Sequence, residues 1–147
     1  MSIIQRLSEL RTASGMTQAK LAERLGTTQQ TINKYENESR DIAISKVVPI
    51  ADFFNVSLDY LMGVSEVRDV AEPVCSESVV KRLGDVRMQK RLLQKELAEL
   101  LGTSQQQIAK YETGKQEITS SRFIKFAEVC GVSLDYLAGR TYDPTRR

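Results

Sequence analysis

Two stretches of this chain carry side chains that could recognise the edges of nucleic-acid bases. They contain Gln29, Gln30, Asn33 and Lys34 in the first stretch, and Gln105, Gln106, Gln107 and Lys110 in the second. A carboxamide presents a donor and an acceptor side by side, which is the geometry that pairs with adenine in the major groove. A polar helix face is more often simply solvated, so the elements that hold these side chains have to decide between the two interpretations.

The residues around the first stretch predict two short helices joined by a tight turn. Leu21, Ala22 and Leu25 share one face of a first helix, which Gly26 can end because glycine tolerates a positive φ. Ala22 lets the two helices approach closely, and Ile32 fills the angle between them. These are the steric requirements of a helix-turn-helix, and they turn the polar residues outward.

The same arrangement occurs twice. Residues 3–63 and 79–139 align without a gap, with 26 identities in 61 positions, which indicates a tandem duplication. The sequence therefore predicts an all-α chain with a first domain at 1–63, an acidic linker at 64–78, a second domain at 79–139 and a basic tail at 140–147.

The run from Gly26 to Gln30, together with Gln18, resembles the Cro/cI-type (XRE-like) helix-turn-helix repressors of lambdoid phages. The resemblance implies two five-helix, lambda-repressor-like domains that bind double-stranded DNA sequence-specifically and regulate transcription as a repressor. It implies that the first glutamine of each pair, Gln29 and Gln105, contacts a base edge. It also implies that Gln18 and Gln94 touch the phosphate backbone at helix N-termini, where free amides favour an anion.

Other polar residues complete the predicted surface and its support. The further phosphate contacts are predicted at Thr28, Arg40, Ser104 and Lys115. Arg11 and Glu36 both fall on inward faces, four residues after Leu7 and Ile32, and the second copy repeats this pair as Arg87 and Glu112. The resemblance favours buried structural ion pairs over unrelated surface charges.

Composition narrows the class of protein. The chain has no histidine and only two cysteines, Cys75 and Cys130, so zinc-site patterns are absent and both thiols are expected to be free in a reducing cytoplasm of bacterial or phage type. No apolar run or signal-peptide pattern predicts a membrane segment or export. Residues 79–139 carry ten basic and seven acidic side chains against seven of each in residues 3–63, which modestly favours an anionic partner. No cofactor, metal or small-molecule ligand is predicted.

Three local features lead to more detailed expectations. Helix 1 is expected from about Ile3 to Ser14, and the fourth helix of the first copy is expected to be capped by Ser45, because Pro49 belongs near a first turn. The second copy lacks that proline, so its fourth helix is expected to start up to a turn earlier, with Thr119 or Ser120 as cap. Arg91 and Leu93 replace Gly15 and Thr17, so this corner is expected to be strained unless its first helix runs on.

Rival functions are weaker. Ser78 and Lys81 match an S-x-x-K nucleophile spacing, but no residues supply a pocket or an oxyanion hole, so no enzyme is predicted. A protein-interaction module such as an antitoxin or a cofactor-like adaptor is the alternative function.

The fifteen-residue linker bears on how the chain would assemble on DNA. It could extend to about 50 Å, which allows one chain to act as an internal pseudo-dimer. A homodimer through the fifth helix, at Leu58, Tyr60 and Met62, is the alternative assembly.

Overall fold

A computed structural model describes residues 3–146, which contain ten helices in two compact units, Met1–Asp69 and Val70–Arg147. The first unit comprises α1 (Leu7–Ala13), α2 (Gln18–Leu25), α3 (Gln29–Asn37), α4 (Ile44–Phe54) and α5 (Leu58–Leu61). The second comprises α6 (Val79–Gln89), α7 (Gln94–Leu101), α8 (Gln105–Thr113), α9 (Ser120–Cys130) and α10 (Leu134–Leu137). The predicted all-α fold of two five-helix domains is confirmed.

Each unit has its own core, formed by one apolar face from each helix. In the first unit Leu7, Leu21, Ile32, Val47 and Leu58 are completely buried. In the second unit the matching positions are Leu83, Leu97, Ile108, Phe123 and Leu134, all at most 2% exposed. Because burying one such side chain contributes about 1.5–3 kcal/mol, these positions fix how the five helices pack.

The fifth helices are covered within their own units. Leu58 and Met62 are buried, and so are Leu134 and Ala138. The exposed apolar face that would favour pairing of two chains through this helix is therefore missing at these positions.

Helix 1 of the first unit is shorter than expected. It begins at Leu7, whereas its counterpart α6 begins at Val79, the position equivalent to Ile3. The backbone N–H of Arg6 donates to the Leu61 carbonyl at 3.0 Å, which diverts it from a helical hydrogen bond. In α6 the equivalent N–H, of Arg82, donates to Ser78 O. Ser78 caps that helix, and its Oγ accepts from Lys81 N, which accounts for the S-x-x-K spacing.

The prediction that Ser45 caps the fourth helix is wrong. Helix α4 begins at Ile44, so Pro49 lies inside it. Helix α9 begins at the equivalent Ser120, and its N-cap residue is Thr119, one of the two predicted positions, so the two helices start at the same place because α4 starts earlier than expected. Ile44 is buried, and its burial favours drawing the first turn into the helix. Because Pro49 has no backbone N–H, the Ser45 carbonyl receives no helical hydrogen bond. Ser45 is exposed, so water can donate to that carbonyl instead.

The altered corner of the second unit is strained. Helices α1 and α6 end at equivalent residues, Ala13 and Gln89, so α6 does not run on. Arg91 instead adopts φ +55°, close to the +71° of Gly15. The Leu93 side chain cannot accept a hydrogen bond from the first turn of α7. The backbone N–H of Leu93 is nevertheless satisfied, because it donates to Glu96 Oε1 at 2.9 Å.

The segments around the domain boundary are largely docked. Residues 64–68 return to the first unit, where Ser57 N donates to Arg68 O at 2.7 Å. Residues 140–144 do the same in the second unit, where Ser133 N donates to Pro144 O at 3.1 Å. Residues 71–77 also bind the second unit, through Cys75 N to Arg140 O and Glu77 N to Gly139 O. The expected linker and tail are therefore shorter as free segments, because each repeat extends five residues past the aligned region.

Candidate nucleic-acid interface

Helices α2 and α3, and their copies α7 and α8, form the two predicted helix-turn-helix motifs. Gly26 and Gly102 each adopt φ +69° at the turn, a conformation that other residues adopt only with strain. Thr28 Oγ1 then caps α3 by accepting from Thr31 N, and Ser104 Oγ caps α8 by accepting from Gln107 N. Ala22 and Ile32 are buried where the first pair of helices meets. The turn and the contact together set the direction in which α3 points its polar face.

Most of the predicted base-reading side chains lie on the solvent side of α3 and α8. The exposed residues are Gln29, Gln30, Asn33, Lys34, Gln105, Gln106 and Lys110. Together they give each unit one outward face of amides and a lysine.

Gln107 differs from the other predicted base-reading residues. It is only partly exposed, and its Nε2 is buried without a hydrogen-bond partner among the described residues. The equivalent Thr31 lines an open cavity of about 410 Å³ together with Tyr35 and Lys46. The longer Gln107 thus turns its amide nitrogen into the protein, and it does not extend the outward face as the sequence suggested.

An ion pair joins the first helix of each unit to the back of its outward-facing helix. Arg11 Nε and Nη2 donate to the two Glu36 carboxylate oxygens at 2.7 and 3.1 Å, and Arg87 makes the same contacts with Glu112 at 2.7 and 3.0 Å. Each carboxylate raises the pKa of its arginine, mainly through this hydrogen bond. Arg11 also donates to Met16 O at 2.7 Å, which ties the corner before α2 to the same pair.

Gln18 and Gln94 contact these carboxylates directly. Gln18 Nε2 donates to Glu36 Oε1 at 3.2 Å and to Asn33 Oδ1 at 3.3 Å. Gln94 Nε2 donates to Glu112 Oε1 at 3.2 Å. In the first unit both amide hydrogens are engaged. In the second, Ala109 replaces Asn33, so the second hydrogen has no such acceptor.

Basic side chains line a groove beside α3. A cavity of about 310 Å³ is bordered by Lys34, Arg40 and Lys46. The Arg40 side chain is 68% exposed, and its Nη2 lies 3.5 Å from Glu38 Oε2. Sequence reasoning missed Lys46, although its place on the outer side of the first α4 turn could have indicated it.

The second unit uses its corresponding cations differently. Arg122 occupies the position of Lys46, and its Nη1 donates to Thr103 Oγ1 and to Tyr111 Oη, both at 3.1 Å. Lys115 is exposed in the loop after α8. The two units thus differ in the exposed cations that are available beside α3 and after α8.

Two arginines at equivalent positions, which belong to neither helix-turn-helix motif, have a structural role. Arg6 lies over the Tyr60 ring at 4.2 Å, and Arg82 lies over the Tyr136 ring at 4.4 Å. Arg6 also donates to Ser65 O at 2.7 Å, and Arg82 donates to Thr141 O at 3.0 Å. Each arginine holds the docked segment that follows its fifth helix. The sequence contained a signal for this role, because both copies have arginine at the same position.

The positions of the acidic side chains and of the two cysteines bear on metal binding and thiol reactivity. Among residues 3–146, no group of three or more histidine, cysteine, aspartate or glutamate side chains could hold a metal ion. Cys130 is buried and Cys75 is partly buried, both as free thiols, and burial raises the pKa of the Cys130 thiol. No helix within the described residues is long and apolar enough to cross a bilayer.

The helix-turn-helix family matches the chain twice, over residues 7–61 and 83–137. Two matches that together cover most of the chain, with the paired motifs above, show that it belongs to this family. The HTH-type transcriptional regulator YobD of Bacillus subtilis is 37% identical over 65 residues, covering 44% of this chain and 58% of the relative.

Two further relatives are similar over comparable lengths. The HTH-type transcriptional regulator ImmR of Bacillus subtilis is 37% identical over 67 residues, covering 46% of this chain and 53% of the relative. A propionyl-CoA carboxylase regulator of Cereibacter sphaeroides is 33% identical over 90 residues, covering 56% and 19%. The chain thus matches just over half the length of the first two. No solved structure matches it significantly.

Proposed function

We propose that this chain binds duplex DNA sequence-specifically and regulates transcription as a repressor. The observation that carries the proposal is the pair of exposed amide faces on α3 and α8, each held by the same ion pair. An α-helix fits the major groove, where amides can distinguish base pairs through their edges. The names of the relatives and the resemblance to phage repressors support regulation, and the resemblance supports repression.

Positions around these faces provide the proposed backbone contacts. The hydroxyls of Thr28 and Ser104 lie at the N-termini of α3 and α8, where helix dipoles favour phosphate. Gln94 has an amide hydrogen left for an anion, whereas Gln18 would have to exchange a contact. Lys46 and Arg40 beside α3, and Lys115 after α8, add positive charge for the backbone.

The two motifs are proposed to read two related half-sites. Their outward faces share Gln29 with Gln105, Gln30 with Gln106 and Lys34 with Lys110, but differ at Asn33 and Ala109. One chain would then be able to act as an internal pseudo-dimer on an imperfect palindrome.

The test is selection of bound sites from a random DNA pool with the full chain, followed by selection with Gln29→Ala and with Gln105→Ala. Each variant should relax the preference at one base pair of one half-site, at about 1–3 kcal/mol per lost contact, and leave the other half-site unchanged. Gln5→Ala is the control, because Gln5 is exposed outside both motifs. If both motif variants keep the wild-type preference, these helices do not read bases.

A further inference from the structure

A chain of hydrogen bonds that starts at the buried ion pair sets the orientation of one amide on the outward face of α3. The Glu36 carboxylate can only accept, so the Gln18 atom that meets it at 3.2 Å has to be the amide nitrogen. The same nitrogen lies 3.3 Å from the end of Asn33, which therefore has to present its oxygen there. The orientations of both amides thus follow from the negative charge of Glu36.

Asn37 enforces the same orientation from the other side. Its Nδ2 lies 2.9 Å from the Asn33 backbone oxygen, which can only accept, and 2.7 Å from Asn33 Oδ1. Asn33 Oδ1 therefore receives two donors, which fill its two lone pairs. Asn33 is exposed, so its Nδ2 is the atom that remains to meet a partner from outside the protein.

We infer that Asn33 is a specificity-determining residue that acts only as a hydrogen-bond donor and selects guanine at one position of the first half-site. The inference deepens the proposed function and rests on it. A free asparagine would pair with adenine through one donor and one acceptor, but here the acceptor is occupied. Guanine offers two adjacent acceptors, N7 and O6, to the two hydrogens of one amide nitrogen. Cytosine presents only a donor in the major groove and is the base most strongly rejected.

The second unit has no oriented asparagine amide at this position. Ala109 stands in place of Asn33, and Thr113 in place of Asn37 donates from Oγ1 to Ala109 O at 3.0 Å. The supporting half of the network is nevertheless present, because Gln94 Nε2 donates to Glu112 Oε1. The two half-sites should therefore differ at this position, where the methyl of Ala109 favours contact with thymine.

The sharpest test replaces the exposed hydrogen-bond donor of residue 33 by an acceptor. In Asn33→Asp one carboxylate oxygen keeps the donors from Gln18 and Asn37, and the other faces outward as an acceptor. Selection from the random pool should then replace guanine by cytosine, which donates from N4, with a roughly tenfold change in relative affinity. Asn33→Ala should remove the preference at that position. Asn33 is exposed, so both variants should fold, which circular dichroism checks.

A second test rebuilds the hydrogen bonds of Asn33 and Asn37 in the second unit, where they should add a base preference. Ala109→Asn combined with Thr113→Asn should rebuild the contacts on the existing Gln94 and Glu112 and bring the guanine preference into the second half-site. Thr113→Asn alone is the matched control and should leave that half-site unchanged.

The outcomes separate the inference from the proposed function. A wild-type chain that selects no sequence would overturn both. A wild-type chain that selects a site, with the same base preference in Asn33→Asp and no guanine gained in the double variant, would overturn the inference alone.

Discussion

At the scale of single residues, Glu36 connects stability to recognition. Its side chain is 4% exposed, and it accepts from Arg11 twice and from Gln18 once. A buried charge pair of this kind adds little net stability over apolar residues, but removing one partner leaves the other uncompensated. The carboxylate also fixes the Gln18 and Asn33 amides that lead to the outward face of α3, the face that we propose binds DNA.

We predict that Glu36→Ala lowers the free energy of unfolding of the first unit by about 3 kcal/mol, because Arg11 loses its carboxylate. Urea denaturation followed by circular dichroism measures this. Glu38→Ala is the control, since Glu38 is 45% exposed and contacts Arg40 only at 3.5 Å. The control should cost less than about 1 kcal/mol. Equal, small losses in both variants would show that the Arg11 pair is effectively solvated.

At the scale of elements, the two copies show how one corner tolerates different residues. Thr17 Oγ1 accepts from Lys20 N at 3.1 Å in the first unit, whereas Leu93 is 66% exposed and caps nothing with its side chain. Arg91 keeps the backbone path of Gly15 at the cost of a left-handed conformation. The packing of both α6 and α7 against α8 therefore imposes the turn on residues that do not favour it.

Arg91→Gly together with Leu93→Thr should stabilise the second unit by roughly 2 kcal/mol, about half from relieved strain and half from the new cap. Its thermal transition in the full chain should rise by about 4–8 °C for each kcal/mol. Gly15→Arg in the first unit is the converse variant and should lower the Tm of that unit. A fall in Tm for the double variant would mean that the corner has been rebuilt around arginine and leucine.

At the scale of the whole chain, the connection between the units is short. Arg68 O is bound within the first unit and Ala71 O within the second, where Thr141 Oγ1 donates to it at 2.6 Å. Only residues 69 and 70 lie between these bonds, so the free tether reaches about 10 Å and not the 50 Å of an extended linker. A short tether raises the effective concentration of the second motif but restricts the spacing that it can reach.

We predict that one chain occupies one operator and tolerates a narrow range of half-site spacings. Inserting six glycine and serine residues between Asp69 and Val70 should widen that range while leaving the best-spaced site bound. Native mass spectrometry of the complex and binding to a spacing series measure these properties. Two chains on every operator, with four motifs per complex, would contradict the internal pseudo-dimer.

The paired helix-turn-helix units could be predicted from the sequence, because glycine turns, apolar spacing and the 26 identities are local or repeated signals. It could not determine the start of α1 or α4, which depends on the Leu61 carbonyl and on the burial of Ile44. It also missed the docked segments, since residues 64–68 and 140–144 share no identity. The directions of the Asn33 and Gln107 amides could not be predicted, because a hydrogen bond from the distant Gln18 orients the first and burial within the folded unit surrounds the second.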